Sequence, residues 1–167
     1  IPNAMDPCAA VADYKPGTNE LDVFMTSQNP HLHRMLLAGT SLGLPENKIQ
    51  VIAPEVGGGF GSKIYPNPAE AVTAWCSMQL GSPVRWQATR SEGYLTDCHG
   101  RDHTTTAEMA LDAEGSVLGM RVETHAGLGA HLSQFATATP SYLYATILSG
   151  QYDIPAIHAR VVGAFTN

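Results

Sequence analysis

From Val56 to Lys63 the chain reads Val-Gly-Gly-Gly-Phe-Gly-Ser-Lys, and four of the six residues from Gly57 to Ser62 have no side chain. Glycine there admits positive φ and lets backbone N–H groups come close to a ligand. One large aromatic, Phe60, is set into this bare backbone, which a plain flexible linker would not need. A β-rich run, Lys48 to Ala53, precedes the loop, and a predicted helix follows it. The run is not a P-loop, because Ser62 precedes Lys63 and Ile64 follows. It is not a dinucleotide fingerprint either, since Ser62 or Ile64 stands where the third Gly belongs. A tight strand-to-helix turn that holds no ligand is the plain alternative.

Other local signals give the framework. Ala9 to Tyr14 and Glu20 to Met25 read as strands joined by the turn Lys15-Pro16-Gly17-Thr18-Asn19. Asn29 and Pro30 open a helix with Leu32, Met35, Leu36 and Leu42 as its apolar stripe, closed by Gly43 and Pro45. Asn67-Pro68-Ala69-Glu70 is a capping-box pattern that opens a helix running to Leu80 and Gly81. On it Val72, Trp75, Cys76 and Gln79 share a face. Val84 to Ala88 reads as a strand and Ser91 to Leu95 as a helical turn. His103 begins an alternating strand, Asp112-Ala113-Glu114-Gly115 turns it, and Ser116 to Ala126 returns. Gly127 to Ala138 is ambiguous, Ser141 to Ser149 reads as helical, and Val161 to Phe165 is a last strand. The predicted class is α+β, with mixed β-sheets packed with helices.

Composition narrows the function. Charged residues make up 14% and the net charge is −6, with no basic stripe, which argues against nucleic acid as a partner. No apolar run has membrane-spanning length. Cys8, Cys76 and Cys98 are widely spaced, without a C-x-x-C for zinc or an iron–sulfur cluster. They read as buried free thiols in a reducing compartment, the cytoplasm. The seven His residues take ordinary polar roles in this reading. The opening Ile1-Pro2-Asn3 and the apolar close at Val161 to Asn167 read as cut ends. Residues 1–167 are thus expected to be a single region of a longer polypeptide.

Five short runs flank the loop in order: Asn3-Ala4-Met5-Asp6-Pro7, Thr26-Ser27-Gln28-Asn29-Pro30, Arg90-Ser91-Glu92, His99-Gly100-Arg101-Asp102-His103 and Tyr152-Asp153-Ile154-Pro155. With the glycine run, they resemble the molybdenum-binding large subunit of the xanthine oxidase family, most of all its aerobic carbon monoxide dehydrogenase type. The resemblance covers essentially the whole chain and implies part of the first molybdopterin-binding domain. It implies a molybdopterin cofactor, as such or in its cytosine dinucleotide form. Molybdenum would be held by the pterin dithiolene and not by side chains. Iron–sulfur and flavin groups would sit on partner subunits or domains. The implied reaction is oxidative hydroxylation of carbon monoxide, an aldehyde or an N-heterocycle, with water as the oxygen source.

On the resemblance, Gln28 donates a hydrogen bond to an oxo ligand, and Gly58, Gly59, Phe60 and Gly61 approach the cofactor, with Phe60 walling the site. Read from the residues alone, Gln28 could simply cap or tie the helix start, and Phe60 could anchor the turn in the core. Ser62 replaces a common Gly, and Ile64 stands where purine-oxidising branches place a Glu. Arg90, Glu92, Arg101 and Asp102 read as structural ion pairs or a substrate clamp. Glu55 is a poor general base, because the family's catalytic Glu lies beyond Asn167, as does its substrate-facing loop. Two rival readings stand beside this one: a non-catalytic domain using the glycine loop as an assembly surface, and a nucleotide-binding enzyme.

Overall fold

The computed structural model describes residues 2–133, 135 and 137–166. The chain falls into two compact units, Ile1–His99 and Gly100–Asn167, within the single region read from the sequence. The class is α+β with mixed sheets, as expected.

In the first unit, β1 (Ala9–Lys15), β2 (Glu20–Met25), β3 (Ile49–Ile52) and β4 (Val84–Gln87) form one sheet in the order β3-β2-β1-β4. β1 runs antiparallel to both β2 and β4, whereas β2 and β3 are parallel. The parallel pair requires a crossover, which is built by helix α1 (Pro30–Leu36) and its π-helical continuation Leu37–Leu42. Gly43, at φ 67°, ends it in the left-handed conformation that glycine adopts most readily. Helices α2 (Pro68–Leu80) and α3 (Arg90–Thr96) each begin with a complete capping box, on Asn67/Glu70 and Thr89/Glu92. Ala10, Ala12, Leu21, Val23, Met25, Leu37, Leu44, Ile49 and Ala74 make the core. Leu21 is fully buried. Leu21→Ala is expected to lower the stability of this unit by about 2–5 kcal/mol in urea denaturation.

Two helix faces differ from the expected ones. In α2 the buried residues are Glu70, Thr73, Ala74 and Ser77, whereas Val72 and Trp75 are about half exposed. The reason lies in β1. Beyond Ala12, its last residue paired with β4, the Tyr14 N–H donates to Ser77 Oγ at 2.9 Å. A small hydroxyl-bearing face brings the helix close enough to supply that acceptor; Met78 packs against the core beside it, and Val72 and Trp75 turn outward. In α1 the stripe of Leu32 and Met35 is not the inner one. His33 and Leu37 are buried, and Met35 is 48% exposed.

The second unit holds β5 (His103–Leu111), β6 (Val117–Gly127) and β7 (Ile157–Ala164) in the order β5-β6-β7, antiparallel then parallel. His103 does open a strand, so His99 and His103 are not one helical turn apart. Val122, Thr124 and Ala126 alternate along β6 as its buried face. The helical segment expected at Ser141 to Ser149 lies earlier and is irregular, as π-helical Thr139–Leu143 followed by Tyr144–Thr146. The expected ambiguous stretch includes residues 134 and 136, and the apolar close at Val161 to Asn167 includes 167, all outside the described residues.

Candidate cofactor site

The glycine loop lies between β3 and α2. Gly57, Gly58, Phe60 and Gly61 all have positive φ, at 64°, 101°, 52° and 90°. Phe60 is the only non-glycine of the four and holds a conformation that L-residues adopt rarely. Two glycines are required by close approach. A Cβ on Gly57 would lie 2.6 Å from the backbone nitrogen of Asp6, and one on Gly59 would lie 2.8 Å from Cδ of Gln28. The loop folds on itself, with the Ser62 N–H and Oγ–H each donating to the Gly59 carbonyl at 3.0 Å.

Gln28 is tied to this loop at two points. Its N–H donates to the Lys63 carbonyl at 3.0 Å, and its Oε1 accepts from the Gly61 N–H at 3.0 Å. Because Oε1 faces a donor, the amide orientation is fixed, and Nε2 is left without a protein partner among the described residues. The helix cap is Asn29, whose Oδ1 accepts from the Leu32 N–H. Gln28 therefore does not cap the helix. Phe60 is 70% exposed and is no core anchor. Its ring stands beside the backbone of Gly58, where a Cβ would meet it at 2.6 Å.

A segment far away in sequence seats the loop. The Met5 N–H donates to the Gly57 carbonyl at 2.9 Å. Lys63, 2% exposed, donates from Nζ to the carbonyls of Asp6 (2.7 Å) and Val56 (2.6 Å). Burial pushes its amine down from the usual range, while Cys8, Asp6, Asp97 and Glu70 hold it up. Among the described residues of this unit Arg90 has no ion-pair partner. It donates to Met5 O at 2.6 Å and to Asn3 Oδ1 at 3.3 Å, and Tyr94 reaches the same Asn3 oxygen. Glu92 is occupied by the cap of its own helix.

Beside this seat lies a buried polar group missed by the sequence analysis. His33 Nδ1 pairs with Ser27 Oγ at 2.6 Å, and Nε2 is 4.0 Å from Glu70 Oε2. Burial pushes Glu70 up to about 8 and His33 down, so near pH 7 both are largely neutral and their contact is not an ion pair. The Cys8 thiol, also buried, is pushed up to about 12 and is unreactive. Cys98 is exposed, contrary to the expectation of three buried thiols.

Among the described residues no group of three or more His, Cys, Asp and Glu is arranged to hold a metal. What the site offers is a row of donors. The N–H groups of Gly58, Gly59 and Phe60 have no protein acceptor among the described residues, and Gln28 Nε2 stands next to them. Free amides on bare backbone, closed by a neutral side-chain donor, suit an anionic, oxygen-rich group.

The whole chain, residues 1–167, matches the model of the molybdopterin cofactor-binding domain. The chain belongs to that family. It is 38% identical to the carbon monoxide dehydrogenase large chain of Hydrogenophaga pseudoflava, over 99% of this chain and 20% of the relative. It is 33% identical to the nicotine 6-hydroxylase large subunit of Paenarthrobacter nicotinovorans, over 98% of this chain and 20% of the relative. The structure of quinoline 2-oxidoreductase from Pseudomonas putida 86 superposes with a TM-score of 0.80 at 29% identity, covering 98% of this chain and 21% of that one. The chain thus spans about a fifth of the length of the relatives it matches. The chemistry of the donor row in the glycine loop is compatible with the anionic cofactor for which the family is named.

Proposed function

We propose that this chain supplies a molybdopterin cradle to the large subunit of a molybdenum hydroxylase of the carbon monoxide dehydrogenase type. The observation that carries the reading is the run of free amides at Gly58, Gly59 and Phe60, with the Gln28 amide fixed beside it. Gln28 would donate from Nε2 to an oxygen of the bound cofactor, and Gly61 holds that amide in orientation. Phe60 provides an apolar wall that excludes water, which strengthens the polar contacts behind it. When bound, the cofactor supplies two-electron redox chemistry in which water is the source of oxygen.

Residues 1–167 then form part of the first molybdopterin-binding domain of the subunit, with the cofactor as such or as its cytosine dinucleotide. Iron–sulfur and flavin subunits receive the electrons, and the complex works in the cytoplasm. The substrate class is carbon monoxide, an aldehyde or an N-heterocycle; Ile64 weighs against a purine. A non-catalytic assembly role is not favoured, since it gives no reason for the fixed orientation of Gln28 or for the free amides.

Metal and pterin analysis of the natively purified complex tests the reading. About one molybdenum and one pterin per large subunit are expected, and a correctly assembled complex lacking both would refute it. In the same complex Gln28→Ala is expected to lower turnover by about 10²-fold with the pterin retained, the usual scale for losing one preorganised donor. Unchanged turnover would remove Gln28 from the site.

A further inference from the structure

We infer that Lys63 is the positioning residue of the cradle: its ammonium clamps the carbonyls of Asp6 and Val56, and so holds the amides of Gly58, Gly59 and Phe60 in register with Gln28. A loop with four glycines has more conformational freedom to lose than any other sequence. Something outside it must fix its shape before an anion arrives. Among the described residues, the glycine stretch from Gly57 to Ser62 is tied internally by the bonds from Ser62 to Gly59.

Beside the bonds from Met5 N–H to Gly57 O and from Gly61 N–H to Gln28 Oε1, Lys63 constrains the loop at three points. Nζ takes Val56 O at the entry of the loop and Asp6 O on the segment against which Gly57 packs. Its own carbonyl accepts the Gln28 N–H. The entry of the loop, the seat beneath it and the base of Gln28 therefore converge on one side chain and its backbone. Among the described residues the ammonium's hydrogen-bond partners are the carbonyl oxygens of Asp6 and Val56 and no carboxylate, so its donors are spent on holding backbone in place. Arg90 grips the same segment from the other end, at Met5 O and Asn3 Oδ1. Unlike Lys63 it touches neither the loop nor Gln28.

The consequence for cofactor retention rests on the functional reading above, whereas the ordering of the loop does not. The test therefore uses two readouts on the full-length protein in its native complex: amide hydrogen exchange across residues 56–63, and pterin released per subunit. Lys63→Met keeps the length of the side chain but removes its donors. It is expected to speed exchange in the loop by about tenfold or more relative to β1 and to lower pterin content several-fold. Lys63→Arg, which keeps the cation, should recover part of both. Lys63→Gln is measured alongside, so that a folding failure of Lys63→Met leaves the same two readouts available. Ser77→Ala is the control: it removes a buried hydroxyl that bridges Tyr14 and Ser82 away from the loop. It should lower the Tm yet leave both readouts at their wild-type values.

Wild-type loop exchange in Lys63→Met or Lys63→Gln would overturn the inference, as would a Ser77→Ala protein that loses loop protection to the same degree. A wild-type complex without pterin, in which loop exchange still depends on Lys63, would refute the functional reading and support the positioning role.

Discussion

Gly57→Ala is expected to destabilise the first unit by roughly 2–4 kcal/mol and to empty the complex of its pterin. Two costs add. Alanine at φ 64° is strained, and its Cβ would lie 2.6 Å from the backbone nitrogen of Asp6. A backbone atom cannot swing away as a side-chain tip can. The Asp6 segment must therefore retreat, which breaks the bond from Met5 N–H to Gly57 O and draws Asp6 O away from Lys63. Gly59→Ala makes a useful contrast. Its nearest clashes are with the Gln28 side chain, at Cδ (2.8 Å) and Cβ (2.9 Å), so the Gln28 amide should be displaced with a smaller loss of stability than in Gly57→Ala. Thermal unfolding with pterin analysis separates the two. A Gly57→Ala protein with wild-type Tm and full cofactor would contradict the seating of the loop on residues 5 and 6.

The second large effect is electrostatic. Glu70 is pushed by burial from 4.5 to about 8. Between those values the folded protein holds a proton that the unfolded chain has released, so stability falls as pH rises through the window, by up to about 1.4 kcal/mol per pH unit. Burial pushes His33 the other way, below its ordinary 6.5, so its contribution is lost as pH falls below that value. From about pH 6.5 to 8 the Glu70 slope stands largely alone. Glu70→Gln keeps an acceptor for the Asn67 N–H, which the carboxylate now receives at 2.8 Å, and removes the titration. It should be the more stable protein at pH 8, by a few kcal/mol, and show little slope above pH 6.5. Parallel curves for the two proteins in denaturant titrations at pH 6.5, 7.25 and 8 would show that Glu70 is ionised in the fold.

Local signals in the sequence were read well because their causes are local. The caps at Asn29 and Asn67, the stops at Gly43 and Gly81 and the hairpin at Asp112 each depend on a few adjacent residues. The glycine run was legible for the same reason, whereas Gln28, 33 positions from Gly61, was tied to it only through the family resemblance. What escaped was set by distant partners. Lys63 entered the sequence reading only as a residue that breaks the P-loop pattern, because nothing nearby announces that two carbonyls wait for it in the interior. Glu70 was visible as a cap but not as a buried acid. The inner face of α2 was misjudged because hydrophobic spacing marks Val72 and Trp75, whereas an unpaired N–H on Tyr14 selects Ser77. His33 was counted with the other histidines as ordinary, and its burial against Ser27 and Glu70 of α2 was not foreseen.

The seat of the loop joins residues 3–6, 28, 56–63 and 90, the last of them 85 positions from Met5 in the chain. During synthesis, which proceeds from the N-terminus, the segment carrying Met5 and Asp6 leaves the ribosome long before its partners exist. A nascent chain halted after β3 would have neither Lys63 nor Arg90, and one halted after α2 would still lack the second grip. Contacts of such long sequence separation close late, because the intervening chain must give up its freedom first. The complete receptacle is thus a product of the finished unit, and capture of the cofactor comes after that unit has been made.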